Sequence, residues 1–319
     1  MKKRNTLLAV ITAFCGLAAQ PAVAAWPQDK PIVVVVPYGP GGSSDLVGRT
    51  IAEQLQNQLG ASVVVENRPG AGGTLGASQV ARAAPDGYRI LLANTAHTAA
   101  PALFDNLDYD FNQGMTHIVR FAAVPNIIIL NNESKVKNMQ EFIEYLQSEN
   151  THVNYGTPGV GTTNHLAVEL LNSYLKTDPR HIPYGGAGPI FIDLIAGRLD
   201  FTVQSTPIAG SHIDAKSVKP IAVTSKQRIK KYPDLPTVAE FVGQDYEIVT
   251  WYGLSGPKGM PQDITEKISS AVKKALSDPK FAQLLQSMDA DAMHMGPQQY
   301  SDFIDVESKK WKTLNLKKE

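Results

Sequence analysis

The sequence predicts an α/β fold of two lobes, each a mainly parallel sheet flanked by helices. Three observations carry that reading. Strand-like and helix-like patterns alternate from residue 32 onward. The alternation restarts at "VPNIIILNNES". The stretch "VPYGPGGSSDLVGR" (36–49) is echoed by "IPYGGAGPIFIDLIAGR" (182–198): both have Pro-Tyr-Gly, more Gly or Pro, then a helix ending in Gly-Arg. The echo is loose, but it suggests lobes of similar build.

Each element follows from its local pattern. Residues 32–36, an Ile and four Val, make a strand fit for burial on both faces. Leu46, Val47, Ile51, Leu55 and Leu59 recur at helical spacing and predict a helix over 46–59 that stops at Gly60. A strand follows at 62–66. The glycine-rich turn "ENRPGAGGTLGA" then leads into a helix ending near Ala83, and a third strand covers 88–93. This βαβαβ order predicts a parallel sheet. After the restart, a helix is expected at 138–147 and a strand at 152–155. The loop "GTPGVGTTN" leads to a helix at 165–175. A strand at 180–182, the loop "PYGGAG" and a helix at 190–196 come next, then strands at 199–204 and 221–224. Three helices near 263–276, 279–288 and 297–314 close the chain.

The N-terminus reads differently. Met1 to Arg4 is basic, Leu7 to Ala19 is apolar, and Ala22, Val23, Ala24 and Ala25 are small. That order describes a secretory signal peptide over 1–25, cleaved after Ala24 or Ala25. The apolar run is shorter than the roughly 20 residues a membrane span needs. A buried first helix is the competing reading. The single cysteine, Cys15, falls inside this segment, so the mature chain has no thiol for a disulfide, for catalysis or for a metal. That composition is safe in an oxidising compartment. The 319-residue chain has 30 basic and 30 acidic residues; losing Lys2, Lys3 and Arg4 leaves about −3. With no basic block, nucleic acid and anionic lipid are not expected partners. A hydrophobic content of 43% is ample for a core.

Two loops carry the chemistry. Gly39, Gly41 and Gly42 precede Ser43 and Ser44 at a helix start. The first N–H groups of a helix lack intrahelical partners, and its dipole favours negative charge there. The serine hydroxyls add donors, so the loop suits a carboxylate or phosphate. Asp45 is read as support for the helix start. A tight turn capped by serine fits the same residues. The loop "NYGTPGVGTTNH" repeats the device with Gly156, Gly159 and Gly161, then Thr162, Thr163 and Asn164, and no adjacent Lys or Arg. Two such loops suit one anion clasped from both lobes or a ligand with two anionic ends; two independent turns are the alternative. Neither loop is a Walker motif or a dinucleotide fingerprint, and no cofactor is expected. The seven histidines form no His-Glu-x-x-His or other close pair, so no metal site is expected. No Gly-x-Ser-x-Gly elbow is present. Trp251 and Tyr252 read as core or interlobe contacts.

At this point "WPQDKPIVVVVPYGPGGSSD", "VVVENRPGAGGTLGA", "APDGYRILLA", "NYGTPGVGTTNHLAVELL", "HIPYGGAGP" and "IAVTSKQR…YPDLPTVAE" can be taken together. In content and order the chain resembles the Bug receptors, the periplasmic solute-binding proteins of tripartite tricarboxylate transporters. The likeness covers essentially all of the chain after the signal, and "ENRPGAGG" and "PDGY" are specific segments.

The resemblance implies a type II-like periplasmic binding fold, with two lobes joined by crossings near 121–126 and 221–225. Lobe one is then 26–123 plus 226–319, and lobe two 124–225. It implies a non-enzymatic periplasmic receptor, suited to act as a monomer, that captures a small carboxylate and hands it to membrane permease subunits. By position, Tyr38, Gly39, Gly41, Gly42, Ser43 and Ser44 are the contacts on one wall. Thr157, Gly161, Thr162 and His165 are those on the other, with Asn94 and Thr95 as additions. Two departures stand out. Gly39 stands where many relatives have Ala. Gln204 lies near where many carry an Asp, and a neutral amide cannot neutralise an ammonium. The expected ligand is therefore a di- or tricarboxylate or an aromatic acid without an amino group. A secreted α/β hydrolase using Ser43 and a distant His, and a sensor that docks on a membrane protein, are the alternatives.

Overall fold

The computed structural model describes residues 26–148, 152–314 and 316. The expected signal peptide lies outside the described residues.

The strand Ile32–Val36 (β1) is followed by the helix Ser43–Leu59 (α1), the strand Val63–Asn67 (β2), the helix Thr74–Ala81 (α2) and the strand Arg89–Asn94 (β3). The helix Thr95–Leu103 (α3) leads to a 17-residue strand, Met115–Asn131 (β4). Next come Met139–Gln147 (α4), Asn154–Thr157 (β5), Thr163–Leu175 (α5), Arg180–Pro183 (β6), Ala187–Ile195 (α6), Phe201–Ser205 (β7), Thr206–Asp214 (α7) and Val218–Val223 (β8). The chain ends with Ala239–Val242 (α8), Val249–Pro257 (β9), Gln262–Ala275 (α9), Pro279–Ser287 (α10), Asp291–Met295 (β10) and Pro297–Thr313 (α11).

β1 is almost wholly buried and pairs in parallel with β2 on one side and β3 on the other. α1 lies on it because Gly48 has no side chain: a Cβ there would sit 2.4 Å from Val36 Cγ2. Gly60, at φ 62°, ends that helix, and its N–H returns to the Gln56 carbonyl. β9 enters antiparallel between β3 and β4.

β4 belongs to two sheets. Over Met115–Pro125 it pairs with β9, and β10 covers its other edge. From Asn126 to Leu130 it pairs with β7, and from Ile127 to Asn131 with β8. β7 continues to β5 and β6 in parallel. In each lobe the parallel strands, β1, β2 and β3 in one and β5, β6 and β7 in the other, point their C-terminal ends at the other lobe, the position where open α/β sheets bind ligands.

Ile229 is buried in the cluster of Ile127, Ile190 and Val223, while Val238, Tyr246 and Ile248 are buried with Phe142 and Leu166. Residues 226–248 therefore pack on the second sheet, and the chain rejoins the first at β9. α11 touches both cores: Tyr300 and Ile304 pack with Val35 and Trp251, whereas Trp311 packs with the cluster of Phe142 and Leu166.

Candidate functional site

A cavity of about 590 Å³ lies between the two sheets. One wall carries the loop 38–44 from β1 to α1, the loop 69–73 before α2, and Asn94 at the end of β3. The other carries residues 158–160 and 162–164 ahead of and opening α5, residues 185–189 at the start of α6, and Gln204, Ser205 and Ile208 at the start of α7. Asn126, Thr250 and Tyr252 complete the lining where β4 and β9 run between the lobes. Among the described residues, no Lys, Arg, His, Asp or Glu lines it.

The polarity comes from helix ends. α1, α6 and α7 have Gly42, Gly186 and Ser205 at their N-cap positions, and none has a side chain capping its first turn. Helix starts of this kind favour an anion, and the lining supplies no cation. α5 differs, because the Thr162 hydroxyl accepts its own helix's His165 N–H at 3.4 Å.

The first loop is held from behind. Asp45 Oδ2 accepts the Gly41 N–H and the Arg49 Nε–H, both at 3.0 Å, and Oδ1 accepts Asn67 Nδ2 at 2.9 Å. Partial burial pushes this carboxyl up, but the bonds from Arg49, Asn67 and Gly41 outweigh it and hold the group below the usual carboxylate range. Asn67 also donates to the Tyr38 carbonyl at 3.0 Å. Gly41 turns the chain at φ 85°, a left-handed conformation open to glycine. The Tyr38 hydroxyl lies 3.0 Å from Asn94 Oδ1 and 3.2 Å from the Gly72 carbonyl, tying three loops together. Burial keeps it protonated, and it pushes Tyr252 up to about 12.

The walls meet at several places. Ser43 Oγ and Ser205 Oγ, from opposite lobes, lie 2.7 Å apart. A Cβ on Gly72 would lie 2.7 Å from the Val160 carbonyl oxygen, so the loop 69–73 presses against the tip of the loop before α5.

Tyr38, Gly39, Gly41, Gly42, Ser43 and Ser44 line one wall; Asn94, Thr162 and Gln204 also face the cavity. Four expected residues sit behind the lining. The Thr95 hydroxyl donates to the Val249 carbonyl at 2.7 Å and fastens α3 to β9. Thr157 is fully buried, with its hydroxyl 2.6 Å from His181 Nε2. Gly161 lets its loop approach the Phe104 ring, 3.2 Å from where a Cβ would be. His165 is 5% exposed and packs on His181 and Tyr155. Burial, with His181 adding to it, lowers its pKa to about 3, so it is neutral packing. The periodicity of a helix start cannot tell which way its side chains turn, and here His165 turns toward His181 and Tyr155.

Several lining residues were missed. The loops 69–73 and 185–189 were legible, since "RPGAGG" and "YGGAG" are glycine-rich strand-to-helix connections like the two chosen. Asn126, Thr250 and Tyr252 carry no local signal; they reach the site only because β4 and β9 cross between lobes.

Two sheet-and-helix lobes closing on a cavity ringed by helix N-termini define a two-lobed solute-binding protein. The periplasmic binding protein BugD is 33% identical with a TM-score of 0.83, over 90% of this chain and 96% of its own. MatC from Rhodopseudomonas palustris, solved with bound malate, is 30% identical with a TM-score of 0.83, over 90% and 99%. A further R. palustris protein, solved with adipate, is 28% identical with a TM-score of 0.83, over 91% and 97%. The model of the tripartite tricarboxylate transporter family receptor matches residues 47–318. The chain belongs to that family.

Proposed function

We propose that this protein is a periplasmic receptor that captures a small carboxylate between its lobes and delivers it to the permease subunits of a tripartite tricarboxylate transporter. The observation that carries this reading is the cavity itself: both walls present uncapped helix N-termini, and no described lining residue is charged. An anion is stabilised there without a counter-ion, and an ammonium finds no carboxylate. Malate and adipate in similar proteins support the ligand class. The ligand is accordingly a di- or tricarboxylate or an aromatic acid lacking an amino group. Tyr38, Gly39, Gly41, Gly42, Ser43, Ser44, Asn94, Thr162 and Gln204 are its proposed contacts. The proposed lobes are 26–123 with 249–314, and 124–248, closing as a monomer around β4 and the approach to β9. A hydrolase using Ser43 is disfavoured, because the hydroxyl partners Ser205 and no described His lines the cavity.

Thermal melting with carboxylic acids tests the reading. An acid at 100 times its dissociation constant stabilises by about 2.7 kcal/mol. A shift with non-amino acids and none with aspartate or glutamate is expected. Tighter binding of an amino acid overturns the ligand class, and silence from denatured and refolded protein across the panel overturns the receptor reading.

A further inference from the structure

Asn126 occupies an unusual point in the chain. Its neighbour Pro125 pairs with Val249 in the first sheet, whereas Asn126 itself pairs with Ser205 in the second. It therefore stands where β4 leaves one lobe and enters the other, and it lines the cavity. It is 1% exposed. Its amide oxygen accepts the Thr250 hydroxyl at 3.2 Å, which turns the amide nitrogen the other way. That nitrogen is buried and has no hydrogen-bond partner. A second lining group shares the condition: Thr163, 3% exposed at the start of α5, has a buried hydroxyl with no partner.

Buried amide donors are seldom left unpaired, because the lost hydration is not repaid. An apolar residue of similar size would fill this place at less cost, so the asparagine asks for an acceptor from outside the chain. Resting on the carboxylate reading above, we infer that Asn126 is a specificity-determining residue whose Nδ2 donates to a second oxygen-bearing group of the bound acid, with the Thr163 hydroxyl as a further donor.

The chemistry follows from where the donors lie. The uncapped helix starts accept one carboxylate at the walls. A donor on the crossing strand then rewards a ligand with another acceptor oxygen, on a second carboxylate or a hydroxyl. A monoacid of equal chain length leaves the amide unpaired and carries that cost into the complex. Asn126 thus separates diacids from monoacids, while the helix starts supply the attraction common to both.

Titration calorimetry of the refolded protein tests this with chain-matched pairs: succinate and malate against butyrate, and adipate against hexanoate. The wild type is expected to prefer the diacid. A hydrogen bond to a charged group is worth about 10- to 100-fold in affinity. Asn126→Leu should therefore reduce the diacid-to-monoacid ratio about tenfold or more. Asn126→Asp, which replaces the donor by an anion of the same shape, should weaken diacids further. Melting of the ligand-free variants checks their folding. If Asn126→Leu does not fold, Thr250→Val, which releases the amide oxygen, should lower the same ratio. An unchanged ratio, or diacid binding by Asn126→Asp as tight as wild type, overturns the inference alone. Wild-type protein that binds neither acid of any pair overturns the carboxylate reading and the inference with it.

Discussion

The hydroxyls of Ser43 and Ser205, separated by 162 residues, meet 2.7 Å apart across the cleft. One is the first residue of α1 and the other the residue preceding α7, so the contact joins two helix starts that line the cavity. It forms only when the walls are together, and a contact of that kind biases the open–closed balance. Ser43→Ala and Ser205→Ala should each lower ligand affinity by roughly three- to tenfold. In a double-mutant cycle they should couple by about 0.5–1.5 kcal/mol. Additive losses in calorimetry would show that each serine acts on the ligand and not on the other.

Gly72 makes another contact between the walls. At φ 62° a side chain is strained by about 1–2 kcal/mol, and a Cβ would stand 2.7 Å from the Val160 carbonyl oxygen. Gly72→Ala should weaken binding by about tenfold or more, while the ligand-free protein loses only about 1–2 kcal/mol. X-ray scattering of the ligand-saturated variant should give a larger radius of gyration than the wild type. Equal radii and equal affinities would remove closure from the role of this loop.

Acid should destabilise the protein progressively below about pH 6.5. Burial lowers His97 to about 4, His165 to about 3 and His181 to about 4. In the unfolded chain these groups titrate near pH 6.5. Between those values the unfolded state binds more protons, so stability is intact above pH 6.5 and falls as pH drops toward the folded values. Each histidine contributes at most about 1.4 kcal/mol per pH unit over that window. The melting temperature of His165→Phe should fall less steeply between pH 6.5 and 4 than that of the wild type, and parallel curves would place the acid sensitivity elsewhere.

Gly253 fixes the fit of β9 against α11. A Cβ there would come within 2.5 Å of the Tyr300 hydroxyl, 2.6 Å of its ring and 2.8 Å of the Val119 carbonyl. Gly253→Ala should cost about 1–3 kcal/mol in urea unfolding, the usual penalty for overfilling a packed core. Pairing it with Tyr300→Phe should restore part of that loss by removing the nearest atom.

The parts of the fold legible in the sequence are those whose pattern is local. β1 is a pure β-branched run and matches 32–36, and the helices near 263–276 and 297–314 were visible from their spacing. β4 was read only from the restart at Val124, because "MTHIVRFAA" mixes a histidine and an arginine into a strand that is buried by its neighbours. β9 escaped altogether. Only Trp251 and Tyr252 were read there, as core or interlobe contacts; the glycines of the strand sit where Tyr300 and Met260 lie over it, and a Cβ on Gly256 would overlap Met260 Sδ. α7 did carry a signal, a serine followed by Thr206 and Pro207 at its start, which was passed over. At the site, loops were readable because glycine marks them; Asn126 was not, since only long-range pairing brings it there.

The insertion of β9 between β3 and β4 sets the order in which this chain can finish. Leu91 to Asn94 pair with residues Tyr252 to Ser255, some 160 positions later. Until those residues leave the ribosome, β3 keeps an unsatisfied edge and the first wall has no completed sheet. Non-local pairing of this kind slows folding. A chain ending before Val249 lacks the strand that joins β3 to β4, so the first lobe cannot complete its sheet ahead of the second.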